Sequence, residues 1–186
     1  MAYEDINDAV AYGVKIEPVT VSAGQPCWKV IKVHHLTPEE NNRLHHIFID
    51  TLDEKGKRLF GTRVRVTWQS GEGEAVVDKP LGEPGTNIPM WKKQVCAIEV
   101  KGDLPSDRVV NLHTAHPDEG GGNTFYHHSF EIIFKKTVQE GDGNQSVIKG
   151  TVKGGEGMTL LLLSNGQTVA SQTIGPDESY NFTNLA

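Results

Sequence analysis

Apolar and polar residues alternate with a period of two along most of the chain, which is the pattern of half-buried β-strands. The clearest such runs cover residues 27–33, 47–52, 63–68, 95–100 and 129–135. Only residues 4–12 show a short helical spacing, and Gly13 follows them. Because turn-forming residues separate the runs, the sequence predicts an all-β fold whose first part is an antiparallel β-sandwich.

Two stretches between the predicted strands are expected to be long surface loops. Residues 78–91 contain three prolines and two glycines, and residues 111–126 contain Pro117 and three consecutive glycines. Loops longer than about 12 residues in a compact domain usually carry function or are disordered. We therefore look for a binding site in these two stretches.

The polar segment 137–146 is predicted to be a linker, since it has two glycines and no aromatic residue. Residues 1–136 then form the β-sandwich module, and residues 147–186 form a second, β-rich segment. A segment of about 40 residues is at the lower limit of what folds alone. We therefore expect a partial second β-sandwich, completed by strands that are missing or supplied by another chain.

The second segment carries a strand–turn–strand pattern that is shared with a known family. The pattern consists of Ile148-Lys-Gly-Thr-Val152, a glycine-rich turn, Leu160-Leu161, Asn165-Gly166, Val169-Ala170 and residues 177–185. It resembles the start of a carboxypeptidase-regulatory-like or Cna-B-like domain, which implies a transthyretin-like β-sandwich. The closing Gly-Thr-Tyr strand of that family is absent here, and nothing supports a Cna-B-type isopeptide crosslink.

The first module also carries a family resemblance. Residues 47–68 show a strand, an acidic glycine-containing turn and a second strand, and Asn87-Ile-Pro-Met, Leu104-Pro-Ser-Asp107 and Tyr126-His-His-Ser-Phe130 follow. This arrangement is similar to the Ig-like or jelly-roll-like accessory modules found beside cell-wall or glycan hydrolases and in phage proteins. The resemblance implies a surface-exposed module and names no activity.

Charge and cysteine content narrow the function class. The 186 residues include 18 Lys and Arg against 24 Asp and Glu, a formal net charge of −6. An acidic chain is not expected to bind nucleic acid, and no apolar stretch approaches the roughly 20 residues that span a bilayer. The first residues lack the basic and apolar regions of a signal peptide. Cys27 and Cys96 are either one disulfide or two buried thiols.

The eight histidines are the most unusual feature of the composition. They occur as three doublets and as His113 with His116. A metal site formed by His113, His116 and Asp118 is one hypothesis, because neutral imidazole and carboxylate bind transition metals. No spacing matches a known zinc motif, and the alternative is that histidines donate to backbone carbonyls and order the loops. We expect no cofactor and no catalytic residue.

A ligand-binding site in the long loops is the preferred hypothesis. Trp91 and Tyr126 lie in or beside those loops, where aromatic rings can stack on the C–H faces of sugars. Trp28 and Trp68 lie on alternating strands and are expected in the core. The candidate polar partners of a ligand are Asn87, Asp107, Arg108, Asn123 and His127.

The sequence therefore predicts a non-catalytic recognition or assembly protein of a virion or an extracellular surface. Its expected partners are other protein subunits, including copies of itself in a homo-oligomer, or a surface glycan. The alternative is a carbohydrate-binding accessory module of a cell-wall or glycan hydrolase. The third hypothesis is an enzyme with a metal ion bound by histidines.

Overall fold

The computed structural model describes residues 6–92, 94–114, 127–139 and 146–185. The chain divides into two units, Met1–Gln139 and Glu140–Ala186. Within the described ranges, helical structure is confined to the short 3-10 helix Val10–Tyr12 and the four-residue helix α1, Pro38–Asn41. None of the helices described there has the length and apolar character to cross a membrane. The protein is all-β, as predicted.

The described residues of the first unit contain nine strands, which form two sheets. The first sheet has the order β1-β8-β7-β4-β5 and the second has the order β2-β9-β3-β6. The strands are β1 (Lys15–Glu17), β2 (Pro26–His35), β3 (His46–Leu52), β4 (Arg63–Trp68), β5 (Gly71–Val76), β6 (Thr86–Pro89), β7 (Cys96–Lys101), β8 (Arg108–Leu112) and β9 (Phe130–Val138).

The core lies between these two sheets and follows from the period-two pattern. In β3, for example, Ile47, Ile49 and Thr51 are buried while their neighbours are not. Apolar residues from both sheets form one continuous cluster, which identifies the unit as a β-sandwich. All pairs are antiparallel except β3 with β9, which is parallel. Trp28 belongs to this core, as expected.

The structure differs from the sequence prediction in several segments of the first unit, among them the unpredicted strand β8, which ends inside the predicted loop 111–126. Residues 78–91 contain strand β6, so the connection is shorter than predicted. β5 was missed because its sequence, Gly-Glu-Gly-Glu-Ala-Val, has little β-propensity and is a strand only through its ladder with β4. Helix α1 was missed too, although Thr37 and Glu40 form a capping box that begins it.

A buried carboxyl group joins the two sheets along one side of the sandwich. Asp107, directly before β8, is completely buried. It accepts from the backbone N–H groups of Val19 and Val30 at 2.8 and 3.0 Å and from Lys29 Nζ at 3.3 Å. Its own N–H donates to Trp28 O at 2.9 Å. Since Val30 lies on β2 and Asp107 directly precedes β8, these bonds link the second sheet to the first.

Four strands are found in the part of the second unit that the structure describes. They are β10 (Ser146–Thr151), β11 (Thr159–Ser164), β12 (Gln167–Thr173) and β13 (Ser179–Leu185). β10 pairs with β13 and β11 pairs with β12, both antiparallel. The backbone N–H of Asn181 in β13 donates to the Gln172 side chain in β12, so the two ladders are neighbours. Ile174 and Phe182 are the buried apolar residues of this unit among those described.

Replacing Asp107 by alanine should destabilise the first unit by about 3–5 kcal/mol, because two backbone N–H groups and one ammonium group lose their buried acceptor. All three tryptophans lie in the first unit, so tryptophan fluorescence in a urea titration reports its unfolding. Asp103→Ala, at an exposed position of the neighbouring turn, is the matched control and should change stability by less than about 0.5 kcal/mol. Equal midpoints for the two variants would contradict this prediction.

Candidate functional site

A groove opens on the side of the sandwich opposite Asp107. There the end strand of the first sheet, β5, faces the end strand of the second sheet, β6. The groove has a volume of about 320 Å³, and Val66, Ile88 and Cys96 contribute apolar lining. Because every second residue of an end strand directs its N–H and C=O away from its single neighbour, the groove is bordered by backbone donors and acceptors.

Two glycines in β5 make room for one of the indoles of the groove. A Cβ at Gly71 would lie 3.1 Å from the Trp68 ring, and a Cβ at Gly73 would lie 3.6 Å from it. The Trp68 ring therefore lies directly over the β5 backbone, partly buried against the core. Trp68 was expected to be a core residue; it packs against the core and also lines the groove.

The second indole, Trp91, is 61% exposed. Its backbone N–H donates to Gln94 Oε1 and its carbonyl accepts from the Gln94 N–H, both at 2.9 Å. The His45 ring lies edge-on to the indole, with centroids 5.5 Å apart, and His45 Nδ1 lies 2.5 Å from Met90 O. The Trp91 backbone and one part of its ring thus have partners within the chain itself, which lowers the ordering cost of stacking on the ring.

Amide side chains border the same groove. Asn87 Oδ1 accepts from Lys79 Nζ, and Gln94 Oε1 accepts from the Trp91 N–H. Because each amide oxygen already has a donor, the NH2 groups of Asn87 and Gln94 remain for a ligand acceptor. The groove therefore combines aromatic rings with a few oriented polar groups, which is the usual composition of a small-ligand site.

Burial makes the thiol in the groove a weaker acid than an ordinary cysteine. Burial raises the pKa of Cys96 to about 11, so the thiolate is scarce at pH 7. Burial also raises the pKa of Cys27, and both cysteines are free thiols. Of the two alternatives left open by the sequence, the structure shows the buried thiols. The groove offers binding surface rather than an activated sulfur.

The edges that border the groove resist pairing with another strand. β6 ends in Pro89, which has no N–H to donate. β5 carries Glu72 and Glu74, and Glu74 binds Lys101 and, at 2.5 Å, Arg63. The hydrogen bond from Lys101 lowers the pKa of Glu74, so this edge keeps its charge. Charged and proline-containing edges are the usual protection against strand addition.

The histidine doublets converge at one end of the second sheet. β2 ends there, while β3 and β9 begin there, because β2 runs antiparallel to β9 and β3 runs parallel to it. One cluster places His35 Nε2 2.5 Å from His128 Nδ1, with Tyr12 stacked on His35. A second cluster, next to Trp91, consists of His45, His46 and His127.

Of the ligand-binding residues predicted from the sequence, the structure brings Trp91 and Asn87 together in the groove. The His127 ring lies 5.5 Å from that of His45, which in turn contacts Trp91. Asp107 is committed to the bonds that join the sheets, and Arg108 contacts Glu17 and Thr67. Tyr126 and Asn123 lie outside the described residues.

The predicted metal ligands are only partly covered by the described chain. His113 is half-buried, and His116 and Asp118 lie outside the described residues. In the part of the chain that the structure does describe, no three His, Cys, Asp or Glu side chains are placed to hold a metal ion.

Sequence reasoning missed Gln94 as a groove residue and the role of Gly71 and Gly73. The signal for the glycines was present, since they follow Trp68 at alternate positions of the next strand. The sequence carries no such signal for Gln94, because only the folded backbone brings its side chain against Trp91. Comparison with protein-family models, curated proteins and solved structures gave no match.

Two histidines should respond to pH in opposite directions. His34 Nδ1 lies 2.5 Å from Asp8 and Nε2 lies 3.2 Å from Glu40. Desolvation acts to lower the pKa of His34, but the Asp8 and Glu40 carboxylates outweigh it and raise the pKa. Burial, with smaller contributions from His45 and Lys79, lowers the pKa of His46.

His34→Gln should therefore destabilise the protein more at about pH 5.5 than at about pH 8.5, because the raised pKa adds stability below about 6.5 that disappears as pH rises. His46→Gln should show the reverse trend. Protonation of the buried His46 lowers the stability of the wild type as the pH falls, whereas a glutamine at this position does not titrate. Urea unfolding of both variants and the wild type at the two pH values measures these differences. The same sign of pH dependence for both variants would contradict the assignment.

Proposed function

We propose that the protein is a non-catalytic recognition protein that binds a carbohydrate chain in the groove between β5 and β6. The observation that carries the proposal is Trp91, an indole that is mostly exposed yet has partners in Gln94 and His45. Exposing such a ring costs solvation free energy, and a ligand that covers it recovers that free energy. Pyranose rings present apolar C–H faces that suit this stacking.

The polar border of the groove supports the same class of ligand. Sugar hydroxyls both donate and accept, and the groove offers the NH2 groups of Asn87 and Gln94 together with outward N–H and C=O groups of two end strands. A volume of about 320 Å³ accommodates one or two sugar rings. Such a site orients its ligand through a few polar groups around an apolar floor.

An extended peptide is the competing ligand, and the edges argue against it. A peptide would bind by adding a strand to β5 or β6, which needs a regular row of backbone donors and acceptors. Pro89 interrupts the row on β6, and Glu72 and Glu74 place charges on β5. A carbohydrate needs only isolated backbone groups, so it tolerates both features. The setting on a virion or an extracellular surface, or beside a glycan hydrolase, stays a prediction.

Trp91→Ala should weaken carbohydrate binding by about tenfold or more, because the stacking surface is removed while the fold is retained. Binding is measured by depletion of the protein from suspensions of peptidoglycan, chitin, cellulose and xylan, and by a glycan array. On ligand binding, the wild-type tryptophan emission should shift to shorter wavelength, and this shift should be lost in the variant.

Phe60→Ala is the matched control, since Phe60 is an aromatic residue that is 52% exposed on another loop. It should bind like the wild type. The proposal is overturned when no carbohydrate binds, when both variants lose binding equally, or when a panel of extended apolar peptides binds in a Trp91-dependent manner instead.

A further inference from the structure

The side chains that line the groove between β5 and β6 offer hydrogen-bond donors in excess. Asn87 and Gln94 each have an NH2 group left for a ligand, because their amide oxygens already accept within the chain. Trp68 and Trp91 add indole N–H groups, which donate and never accept. A ligand group that lies against these side chains must therefore be an acceptor.

The acceptor capacity of the same side chains is already used. Among the described residues of the groove, Glu74 alone carries a carboxylate. One of its oxygens accepts from Lys101 and the other accepts from Arg63. A sugar hydroxyl brings its own O–H donor, which would have to find a backbone carbonyl of an end strand. A carbonyl oxygen accepts without bringing a donor, so it matches these side chains better than a hydroxyl does.

The floor of the groove is apolar. Val66 and Cys96 line the groove and are only 3% and 2% exposed, and Ile88 lines it while packing against the core. Covering such a surface with a methyl group gains free energy, whereas placing a charged group there without a partner costs free energy. The floor therefore favours a ligand group with a methyl over one with a carboxylate.

We propose that the groove recognises the acetamido group of an N-acetylated amino sugar, an inference that rests on the carbohydrate binding proposed above. The sugar ring stacks on Trp91, and its acetamido carbonyl accepts from the Gln94 NH2 group. The acetamido methyl covers the apolar floor, and the acetamido N–H donates to an outward backbone carbonyl of an end strand. A hydroxyl at the same position of the sugar lacks both the carbonyl and the methyl. A carboxylate lacks the methyl and adds a charge.

Gln94 is the donor that lies next to the stacking residue. Its Oε1 accepts from the Trp91 N–H, and its own backbone N–H donates to Trp91 O, both at 2.9 Å. Because the amide oxygen is bound to the Trp91 backbone, the NH2 group of the same amide lies close to the residue on which the sugar ring stacks. This position makes Gln94 the specificity-determining residue of the proposed site.

Titration of the full chain with chitohexaose and with cellohexaose, followed by tryptophan fluorescence, tests the proposal. The two oligosaccharides share their linkage and differ in having an acetamido group or a hydroxyl on each ring. Chitohexaose should bind at least about tenfold more tightly, because it gains a hydrogen bond to a donor that otherwise lacks a partner and covers apolar surface. The fully deacetylated hexamer, which lacks the carbonyl and the methyl, should lose this gain.

Gln94→Glu removes the NH2 donor but keeps an oxygen that accepts from the Trp91 N–H. It should reduce the preference for chitohexaose to about threefold or less and leave cellohexaose binding within about twofold of the wild type. Gln69→Glu is the matched control, since Gln69 Oε1 also accepts from a backbone N–H, that of Val95, but Gln69 is not among the residues that line the groove. This control should keep the full preference.

The outcomes separate this inference from the carbohydrate binding on which it rests. Equal affinity for the two hexamers, tighter binding of cellohexaose, or binding to another carbohydrate but to neither hexamer overturns acetamido recognition and leaves carbohydrate binding in place. A Gln94→Glu variant that keeps the full preference, or that loses both hexamers together, overturns the role of Gln94 as the donor. If no carbohydrate of any kind binds, both proposals are overturned.

Discussion

Every open β-sheet ends in two strands that have one neighbour each, and the unpaired backbone of those strands must be satisfied, protected or used. This constraint organises the whole molecule. With 13 strands in four sheets and very little helix, the described chain has many edges and few elements to cover them. What distinguishes one edge from another is the side chains it carries, and those of β5 and β6 border the proposed binding site.

The two sides of the first unit differ in how the sheets are connected. On one side the buried Asp107 binds backbone groups near β1 and on β2, so the two sheets are fastened to each other. On the other side β5 and β6 face each other without such a connection, and the groove lies between them. The bonds of Asp107 thus hold the two sheets together on one side, while the groove remains open on the other side. Trp91 lies at this groove, where its backbone is hydrogen-bonded to Gln94 and its ring contacts His45.

The strands with strong period-two patterns, β2, β3, β4, β7 and β9, were predictable from the sequence because burial on one face selects their apolar residues. β5 was not, since Gly71 and Gly73 have low strand propensity and their role is to leave room for the Trp68 ring. The sequence identified Trp91 and Asn87 as candidate site residues through loop composition. It misjudged Asp107, a polar residue next to a loop, because local sequence does not show that two distant N–H groups converge on its carboxyl group. The parallel pairing of β3 with β9 is likewise a long-range feature without a local signal.

In the proposed complex, stacking one or two sugar rings on Trp91 would give a modest affinity, as expected for a shallow groove with few polar contacts. The groove must therefore stay open to its ligand. A strand that paired with β5 or β6 would cover it, and the charges on β5 and the proline that ends β6 disfavour such pairing. The same side chains that protect these two edges would thus keep the proposed site accessible.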